Sequence, residues 1–412
     1  MATRTMTLAE AQSLPRWRQP VTLLVVMAAA MPFAFATWSA LLNNFVIEVA
    51  GFDGWKIGVL QAVREIPGFL AIGVIAVILL VREQRLALIS LALLGLGTAA
   101  TAQFPSFAGL LVTTFIGSLG FHYYETVNQS LQLQWLPRDR APRVLGWILA
   151  ATSAGSLVAY GLIVVAWRFW DLPYDVAYWV GGGVTVAVAL FAWFAWPQFE
   201  APHPQRKRMV LRRRYWLYYA LQFMSGARRQ IFVVFAAFMM VEKFGMKIHE
   251  LTALFLINYV ANMLFAPMVG RFIGRFGERV AMNIEYLGLT GVFILYAGLY
   301  WFDWPLWVAA ALYVVDHLFF AMAFAIKTYF QKIADPGDIA PSAAVAFTIN
   351  HIAAVGLPAP LGLLWLWAPD AVFALAAAMA LTSLGLSLLV PRHPRPGHET
   401  VFARQPLGMP AE

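Results

Sequence analysis

The sequence contains no cysteine, and charged residues make up only 12% of its 412 residues. That is about half the charged fraction of an average soluble domain. The missing cysteine excludes disulfides, thiolate metal sites and thiol nucleophiles. The chain also lacks the ATP-binding sequence G-x-x-x-x-G-K-[ST], and His249-Glu250 is not followed by the second histidine of the zinc motif H-E-x-x-H. We therefore expect neither an enzyme nor a bound cofactor or metal.

Apolar residues are abundant, at 61% of the chain, and the mean hydropathy is +0.69. A helix needs about 20 such residues to cross the hydrocarbon core of a bilayer. The first apolar stretch is too long for a signal peptide, and no small-residue cleavage site closes it. The pattern predicts an all-α integral membrane protein with twelve transmembrane helices, numbered one to twelve, at 21–49, 56–81, 86–103, 106–135, 144–167, 175–196, 215–241, 249–269, 280–302, 305–331, 341–366 and 370–391.

The distribution of Lys and Arg predicts the orientation of these helices. If the amino terminus is cytoplasmic, 21 of the 29 basic residues lie in inner segments and four in outer loops. Because basic loops stay on the cytoplasmic side, both termini are expected to be cytoplasmic, in a multi-pass protein of the cell (inner) membrane. The net charge of +8 is then explained by the membrane topology, and the basic inner segments favour contact with anionic lipids of the bilayer. No nucleic acid partner is expected.

One long polar segment, Pro197 to Arg214, follows helix six and divides the chain into two halves. We predict an N-terminal six-helix bundle at 1–199, a basic cytoplasmic linker at 200–214, and a C-terminal six-helix bundle with a short tail at 215–412. Similarity at an offset of 199 residues supports a repeat. Pro137, Asp139, Ala141 and Pro142 recur as Pro336, Asp338, Ala340 and Pro341.

The predicted loop between helices eight and nine reads Gly270-Arg-Phe-Ile-Gly-Arg275-Phe-Gly-Glu-Arg279. It is similar to the loop motif G-x-x-x-D-R-x-G-R-R of the major facilitator superfamily, with Gly274 in place of the aspartate. The loop between helices two and three keeps only Arg82-Glu-Gln-Arg85, and helix five lacks the Gly-Pro pair of the antiporter subfamily. The chain thus resembles this superfamily over essentially its whole length, with no subfamily identified. The resemblance implies transport by alternating access, with helices one, four, seven and ten around a central cavity.

Four basic and four acidic side chains fall inside the predicted membrane spans. A charge at the bilayer centre costs on the order of 2.5–3.5 kcal/mol on insertion scales, so each needs a partner or a wet cavity. The basic residues are Arg64, Arg228, Arg229 and Lys327, and the acidic ones are Glu65, Glu125, Glu285 and Asp316. Because the numbers match, two interpretations stay open: structural ion pairs between helices, or sites for substrate and protons.

Helix four carries a polar stripe that includes His122, Glu125 and Asn128 at three-residue spacing. Glu125 lies at about mid-depth, where desolvation favours the neutral form of a carboxylate. We therefore expect Glu125 to be the first candidate proton carrier, tuned by His122 one turn away. Asp316 on helix ten is the second.

Helix seven carries Arg228 and Arg229 near mid-depth. The planar guanidinium of arginine suits a carboxylate or a phosphate, whether of a ligand or of a neighbouring helix. Arg229 is the better substrate candidate because it shares a face with Gln222 and Ser225. The predicted substrate-binding residues are Arg229, Arg228, Asn43, Tyr124, Asn128, Asp316 and His317.

Gating is expected at Arg64 and Glu65, beside the Pro-Gly pair that loosens helix two, and at Arg275 and Arg279 of the motif loop. Glu285, near the inner end of helix nine, is expected to pair with those loop arginines.

The spacing of two charged residues on helix ten predicts that they lie on the same face of the helix. Asp316 and Lys327 are eleven residues apart, which returns an α-helix to nearly the same azimuth, so they are expected to share a face.

Together these features predict a secondary active transporter that moves a small organic anion or an amphipathic solute across the cell membrane, coupled to protons by symport or antiport. The expected partners are the small-molecule substrate, protons and the lipid bilayer, and the protein is expected to be a monomer. Two alternatives stay open. One is efflux of drug-like compounds by proton antiport, and the other is a non-transporting assembly factor built on a transporter scaffold.

Overall fold

The computed structural model describes residues 5–78, 80–136, 141–200, 211–335 and 338–402. Helices dominate the described chain, as the long apolar stretches predict. The first half contains α1 (Pro20–Glu48), α2 (Gly54–Phe69), α3 (Val74–Ile78), α4 (Glu83–Ala100), α5 (Phe107–Trp135), α6 (Ala141–Phe169) and α7 (Tyr174–Ala195). The second half contains α8 (Trp216–Gln230), α9 (Ala237–Glu242), α10 (Ile248–Phe276), α11 (Glu278–Trp301), α12 (Leu306–Phe320), α13 (Phe324–Ile333), α14 (Ile339–Gly356), α15 (Pro358–Trp365) and α16 (Pro369–Ser387).

The twelve predicted helices are confirmed, although four of them are interrupted. Helix two is α2 and α3, helix seven is α8 and α9, helix ten is α12 and α13, and helix eleven is α14 and α15. A π-helical segment, Ile231–Ala236, interrupts helix seven, and a 3₁₀ turn, Ala321–Ala323, interrupts helix ten. Within the described residues, ten helices are long and apolar enough to cross a membrane. Helices two and four are not among these ten.

Backbone packing divides the chain into two compact units. The first unit comprises Met1–Phe52, Val63–Arg206 and Met246–Leu256, and the second comprises Asp53–Ala62, Lys207–Gly245 and Ile257–Glu412. Most of the predicted linker, and the Pro137, Asp139 and Pro336 positions of the repeat, lie outside the described residues. The boundaries 1–199, 200–214 and 215–412 therefore stay a prediction.

In the first unit, α4 packs against both α5 and α7 at very short range. A Cβ atom on Gly120 of α5 would lie 2.3 Å from the backbone nitrogen of Leu94, and one on Gly182 of α7 would lie 2.3 Å from the Gly95 oxygen. Small residues permit such backbone contact between membrane helices. The close packing fixes α5, and with it the polar stripe of helix four.

A short parallel sheet closes one end of the first unit. Its strands are β1 (Thr5–Met6) and β2 (Gln198–Phe199), with Thr5 opposite Gln198. The Gln84 side chain donates to the Pro197 oxygen at 2.9 Å and accepts from the Phe199 amide at 2.8 Å. The chain that leaves α7 is thus tied to the start of α4.

In the second unit, α8 packs on α14 and α11 packs on α16. Gly226 makes the first contact possible, because a Cβ there would lie 2.7 Å from the Asn350 backbone oxygen. This contact brings Asn350 of helix eleven beside the two arginines of helix seven.

Candidate functional site

The predicted gating pair of the first unit is an ion pair. The Arg64 guanidinium donates to the Glu65 carboxylate and lies 5.8 Å above the ring of Trp38. Ser118 of α5 donates to the Arg64 backbone oxygen. A Glu65 carboxylate oxygen and a His122 ring nitrogen lie within 4.8 Å of one another, and both residues are buried. Helices two and four are therefore joined by Arg64, Glu65 and His122, here named the first-unit cluster.

The other predicted residues of the first unit differ in their surroundings. Tyr124 is packed in the apolar core, and Asn43 and Asn128 are buried. The side-chain oxygens of both asparagines find no hydrogen-bond partner among the described residues. Glu125 is half-buried on the same helix as Tyr124. The stripe of helix four thus contains the carboxylate of Glu125 and the amide of Asn128, whose oxygen is left without a protein donor in the described structure, while Asn43 lies on α1.

In the second unit, Arg228 of α8 pairs with Glu285 of α11 at 3.4 Å between Nη2 and Oε1. Their side chains are 2% and 0% exposed, and the Arg228 guanidinium lies 4.6 Å from the centre of the Tyr286 ring. The expected pairing of Glu285 with the motif-loop arginines was wrong. Glu285 is seven residues into α11, about 10 Å along the helix from the loop, so the partner comes from helix seven instead.

The motif-loop arginines take other positions. Arg275 is exposed and lies 5.2 Å from the ring of Phe276, while Arg279 is half-buried in the first turn of α11. Glu278, also in that turn, accepts from Lys332 of α13 at 2.8 Å. The gating role of Arg275 and Arg279 stays a prediction.

Asp316 of α12 completes a second buried group of charges. It is 2% exposed, and it lies on α12, which packs against the α11 helix of Glu285. We name Arg228, Glu285 and Asp316 the second-unit cluster. His317, its neighbour in sequence, is half-buried, with its ring 6.2 Å from the Phe232 ring.

The expectation that Asp316 and Lys327 share a face was wrong. Asp316 is buried, whereas Lys327 is exposed and lies 5.7 Å from the Phe324 ring. The 3₁₀ turn Ala321–Ala323 lies between them. Because each 3₁₀ residue turns the chain by about 120° rather than 100°, the azimuth calculated for a continuous α-helix does not apply.

Arg229 points to different neighbours from Arg228. Its Nη2 donates to Asn350 Oδ1 at 3.0 Å, and Asn350 Nδ2 donates to the Gln222 backbone oxygen at 3.2 Å. Asn350 therefore orients Arg229 without opposing its positive charge. The sequence feature that could have indicated this contact is the position of a polar residue within the apolar helix eleven.

Residues 68–358 match the family model of the Major Facilitator Superfamily. The chain belongs to the major facilitator superfamily. Among curated proteins, none matches the sequence. The family and the fold are those of a multi-pass membrane transporter rather than an enzyme.

Two solved structures show the same fold. A single-residue variant of the nucleoside transporter NupG aligns with a TM-score of 0.74 at 14% identity, over 90% of this chain and 99% of that one. A bacterial homologue of the human lysosomal transporter Spinster, inward-facing and unoccupied, aligns with a TM-score of 0.66 at 12% identity, over 89% of this chain and 94% of that one. At these identities the likeness is one of fold.

Proposed function

We propose that this protein is a proton-coupled secondary transporter that carries a small organic anion or an amphipathic solute across the cell membrane, with both termini in the cytoplasm. The observation that supports it best is Arg229, a basic residue inside helix seven that is held by the amide of Asn350. A guanidinium forms strong paired hydrogen bonds with a carboxylate or phosphate. A substrate anion can therefore bind Arg229, while Asn350 keeps the guanidinium in place.

Aromatic side chains near this helix suit the apolar part of such a solute. Phe232 stacks on Tyr313 with 4.7 Å between ring centres. Aromatic faces of this kind bind the apolar body of a ligand and leave its charged end to a polar partner. Uptake by symport and efflux of drug-like compounds by proton antiport would use the same residues, so the proposal covers both directions.

Proton coupling is proposed to use Glu125, with Asp316 as the second candidate and His122 beside Glu125. A buried carboxylate that is exposed to alternate sides can take up a proton from one compartment and release it to the other. Protonation of the carboxylate and binding of the substrate anion at Arg229 are proposed to be linked, because each neutralises a charge that the membrane interior disfavours.

The test uses the purified full chain in liposomes, with radiolabelled organic anions and organic cations supplied under an imposed pH gradient. We expect an anion to accumulate and the Arg229→Met variant to lose that transport. The loss of a charged hydrogen bond is worth about 1.5–3 kcal/mol, which corresponds to roughly a tenfold to hundredfold rise in KM.

Arg213→Gln, on an exposed residue of the inner side, is the matched control and is expected to transport like the wild type. Tight coupling of proton flux to uptake of a permanent cation, with no anion transported, would overturn the proposed substrate class.

A further inference from the structure

A small recess opens at the end of the first unit where α4 begins and α7 ends. Side chains of both helices and of the segment that follows α7 line it: Gln84, Arg85, Leu88, Trp193, Trp196 and Gln198. The two helices are in backbone contact at Gly95 and Gly182, which fixes the walls of the recess. None of the lining residues belongs to the polar stripe of helix four or to the first-unit cluster. The recess is therefore separate from the residues proposed for transport.

The recess contains a guanidinium held on an aromatic face. The Arg85 Cζ atom lies 5.4 Å from the centre of the Trp193 ring, and the Arg85 side chain is half-buried. Stacking on an aromatic ring fixes the plane of a guanidinium and leaves its N–H edge for an anion. A guanidinium oriented in this way is the side chain best suited to the planar, paired hydrogen bonds of a phosphate.

Trp196 adds a hydrogen-bond donor to the wall of the recess. Its side chain is 4% exposed, and its indole Nε1 finds no acceptor among the described residues. A buried N–H is normally hydrogen-bonded, because an unpaired donor away from water is costly. A phosphate oxygen bound in the recess can be the acceptor of this indole N–H.

A second arginine is held beside the same segment of the chain. Arg18 Nε donates to the Ala195 backbone oxygen at 2.8 Å, so this contact orients the guanidinium without neutralising it. Trp17, its neighbour, packs edge to face on Trp196 with 5.8 Å between ring centres. The amino-terminal segment thus adds positive charge and an aromatic ring next to the recess.

The outward faces of α4 and α7 suit acyl chains. Ile89 lies four residues after Arg85, on the same face of α4, and it is exposed. Phe191 and Phe194, in the last two turns of α7, are 57% and 81% exposed. Arginine and tryptophan at the end of a membrane helix lie at the level of the lipid headgroups, and apolar side chains beyond them contact the tails. One molecule with a phosphate and acyl chains can therefore contact both the recess and this apolar surface.

We propose that the recess binds the headgroup phosphate of an anionic phospholipid such as phosphatidylglycerol. The Arg85 guanidinium pairs with the phosphate, the Trp196 indole N–H donates to one of its oxygens, and Arg18 adds a second positive charge. The acyl chains run over Ile89 and Phe194. Basic recesses between membrane helices recognise anionic headgroups by the same chemistry. The bound lipid ties the amino-terminal segment, α4 and α7 together at this end of the first unit.

Lipid binding can be measured without any transported substrate. The purified, delipidated full chain in micelles is mixed at physiological salt with phosphatidylglycerol, phosphatidylcholine or inorganic phosphate, and native mass spectrometry records the bound species. We expect phosphatidylglycerol to bind more tightly than phosphatidylcholine, whose phosphate is neutralised by its own choline. Inorganic phosphate at the same concentration should not displace the lipid. Equal binding of the two lipids, or displacement by inorganic phosphate, would overturn the assignment of the site to an anionic lipid.

Arg85→Met should weaken the binding of phosphatidylglycerol about tenfold to a hundredfold, because a charged hydrogen bond is lost. Arg82→Met is the matched control, since Arg82 is an exposed arginine at the same end of α4 that does not line the recess. Its effect should stay within about fivefold, the general attraction of one basic residue to anionic lipid. Equal losses for the two variants would mean that charge alone attracts the lipid, and the proposed site would be wrong.

Trp196→Phe tests the hydrogen bond without a change of charge, because it keeps an aromatic ring and removes the indole N–H. We expect binding of phosphatidylglycerol to weaken roughly tenfold. Trp135→Phe is the control: the Trp135 Nε1 is also buried without a partner among the described residues, but Trp135 does not line the recess. This variant should bind like the wild type. If Arg85→Met does not fold, this pair decides alone, since unchanged binding in Trp196→Phe overturns the site.

Discussion

The two units each bury a charged cluster, but the clusters are built differently. In the first-unit cluster, Arg64 and Glu65 are adjacent on one helix, so they balance each other whatever the neighbouring helices do. In the second-unit cluster, Arg228 and Glu285 come from different helices, and Asp316 adds an acid that no described residue balances. Charge balance in the second unit therefore depends on the packing of helices seven, nine and ten. A change in that packing would therefore disturb the Arg228–Glu285 pair but not the Arg64–Glu65 pair.

Removal of the arginine from each cluster should give the largest difference in the free energy of unfolding between the two clusters. Arg228→Met leaves Glu285 buried without its cation, and breaking such a pair costs about 3–5 kcal/mol. Arg64→Met should cost less, because His122 lies within 4.8 Å of the Glu65 carboxylate and can replace the lost charge by binding a proton. Denaturant titration of the purified variants in mixed micelles measures both losses.

The double variant Arg228→Met/Glu285→Gln is the control, since it removes both partners and should recover much of the stability. Equal losses for Arg64→Met and Arg228→Met would show that the difference between the clusters has no energetic consequence.

The helices of both units could be predicted, whereas the pairing of their charges could not. A bilayer requires each span to be long, apolar and helical, so long apolar stretches in the sequence predict the transmembrane helices directly. The partner of Glu285 depends instead on which helices pack together and on how far the Arg228 side chain reaches between them. The spacing of residues along the sequence does not give this information. The same holds for the contact of Glu65 with His122, which joins two helices.

Interruptions within helices were the second reason why predictions from the sequence differed from the structure. The azimuth of Lys327 relative to Asp316 was calculated for a continuous α-helix, and the 3₁₀ turn at Ala321–Ala323 changed it. Apolar residues such as Ala-Met-Ala give no signal for such a turn, because tertiary packing decides it. Asn350 shows how far a sequence can go, since a polar residue in an apolar helix indicates a hydrogen bond but not its partner.

A second contrast between the units lies in the contacts at the start of helices three and nine. In the first unit, Glu83 of α4 accepts from Ser130 at 3.2 Å and from Gln134 at 2.6 Å, both neutral donors of α5. In the second unit, Glu278 of α11 accepts from the Lys332 ammonium of α13. Lys332→Gln should cost about 1–2 kcal/mol, less than a buried pair because half of the Lys332 side chain is exposed.

Gln134→Ala is the matched variant of the neutral contact, with an expected loss of about 1 kcal/mol. Salt separates the two: the effect of Lys332→Gln should shrink as ionic strength rises, and that of Gln134→Ala should not. Micelle unfolding at low and high salt measures this, and an identical salt response would remove the distinction.

The smallest expected effect concerns Asp338, which lies outside the membrane-spanning segments and is charge-paired near water. Arg212 donates to its Oδ1 at 2.9 Å and Tyr215 donates to its Oδ2 at 3.0 Å. The hydrogen bond from Arg212, aided by that from Tyr215, holds the pKa of the Asp338 carboxyl below its usual range. A carboxylate with a lowered pKa in the folded state stabilises the protein above the ordinary aspartate pKa of about 4, and that contribution is lost as the pH falls through the lowered value.

Asp338→Asn should therefore weaken the fold at neutral pH and make no difference at strongly acidic pH. Since half of the Arg212 side chain is exposed, salt screens the pair, and the change in unfolding midpoint should be smaller than for either variant of the helix-start contacts. Unfolding of wild type and variant in micelles across the acid range measures the convergence of the two curves. If the curves stay parallel down to strongly acidic pH, the charge of Asp338 contributes nothing to the stability of the fold.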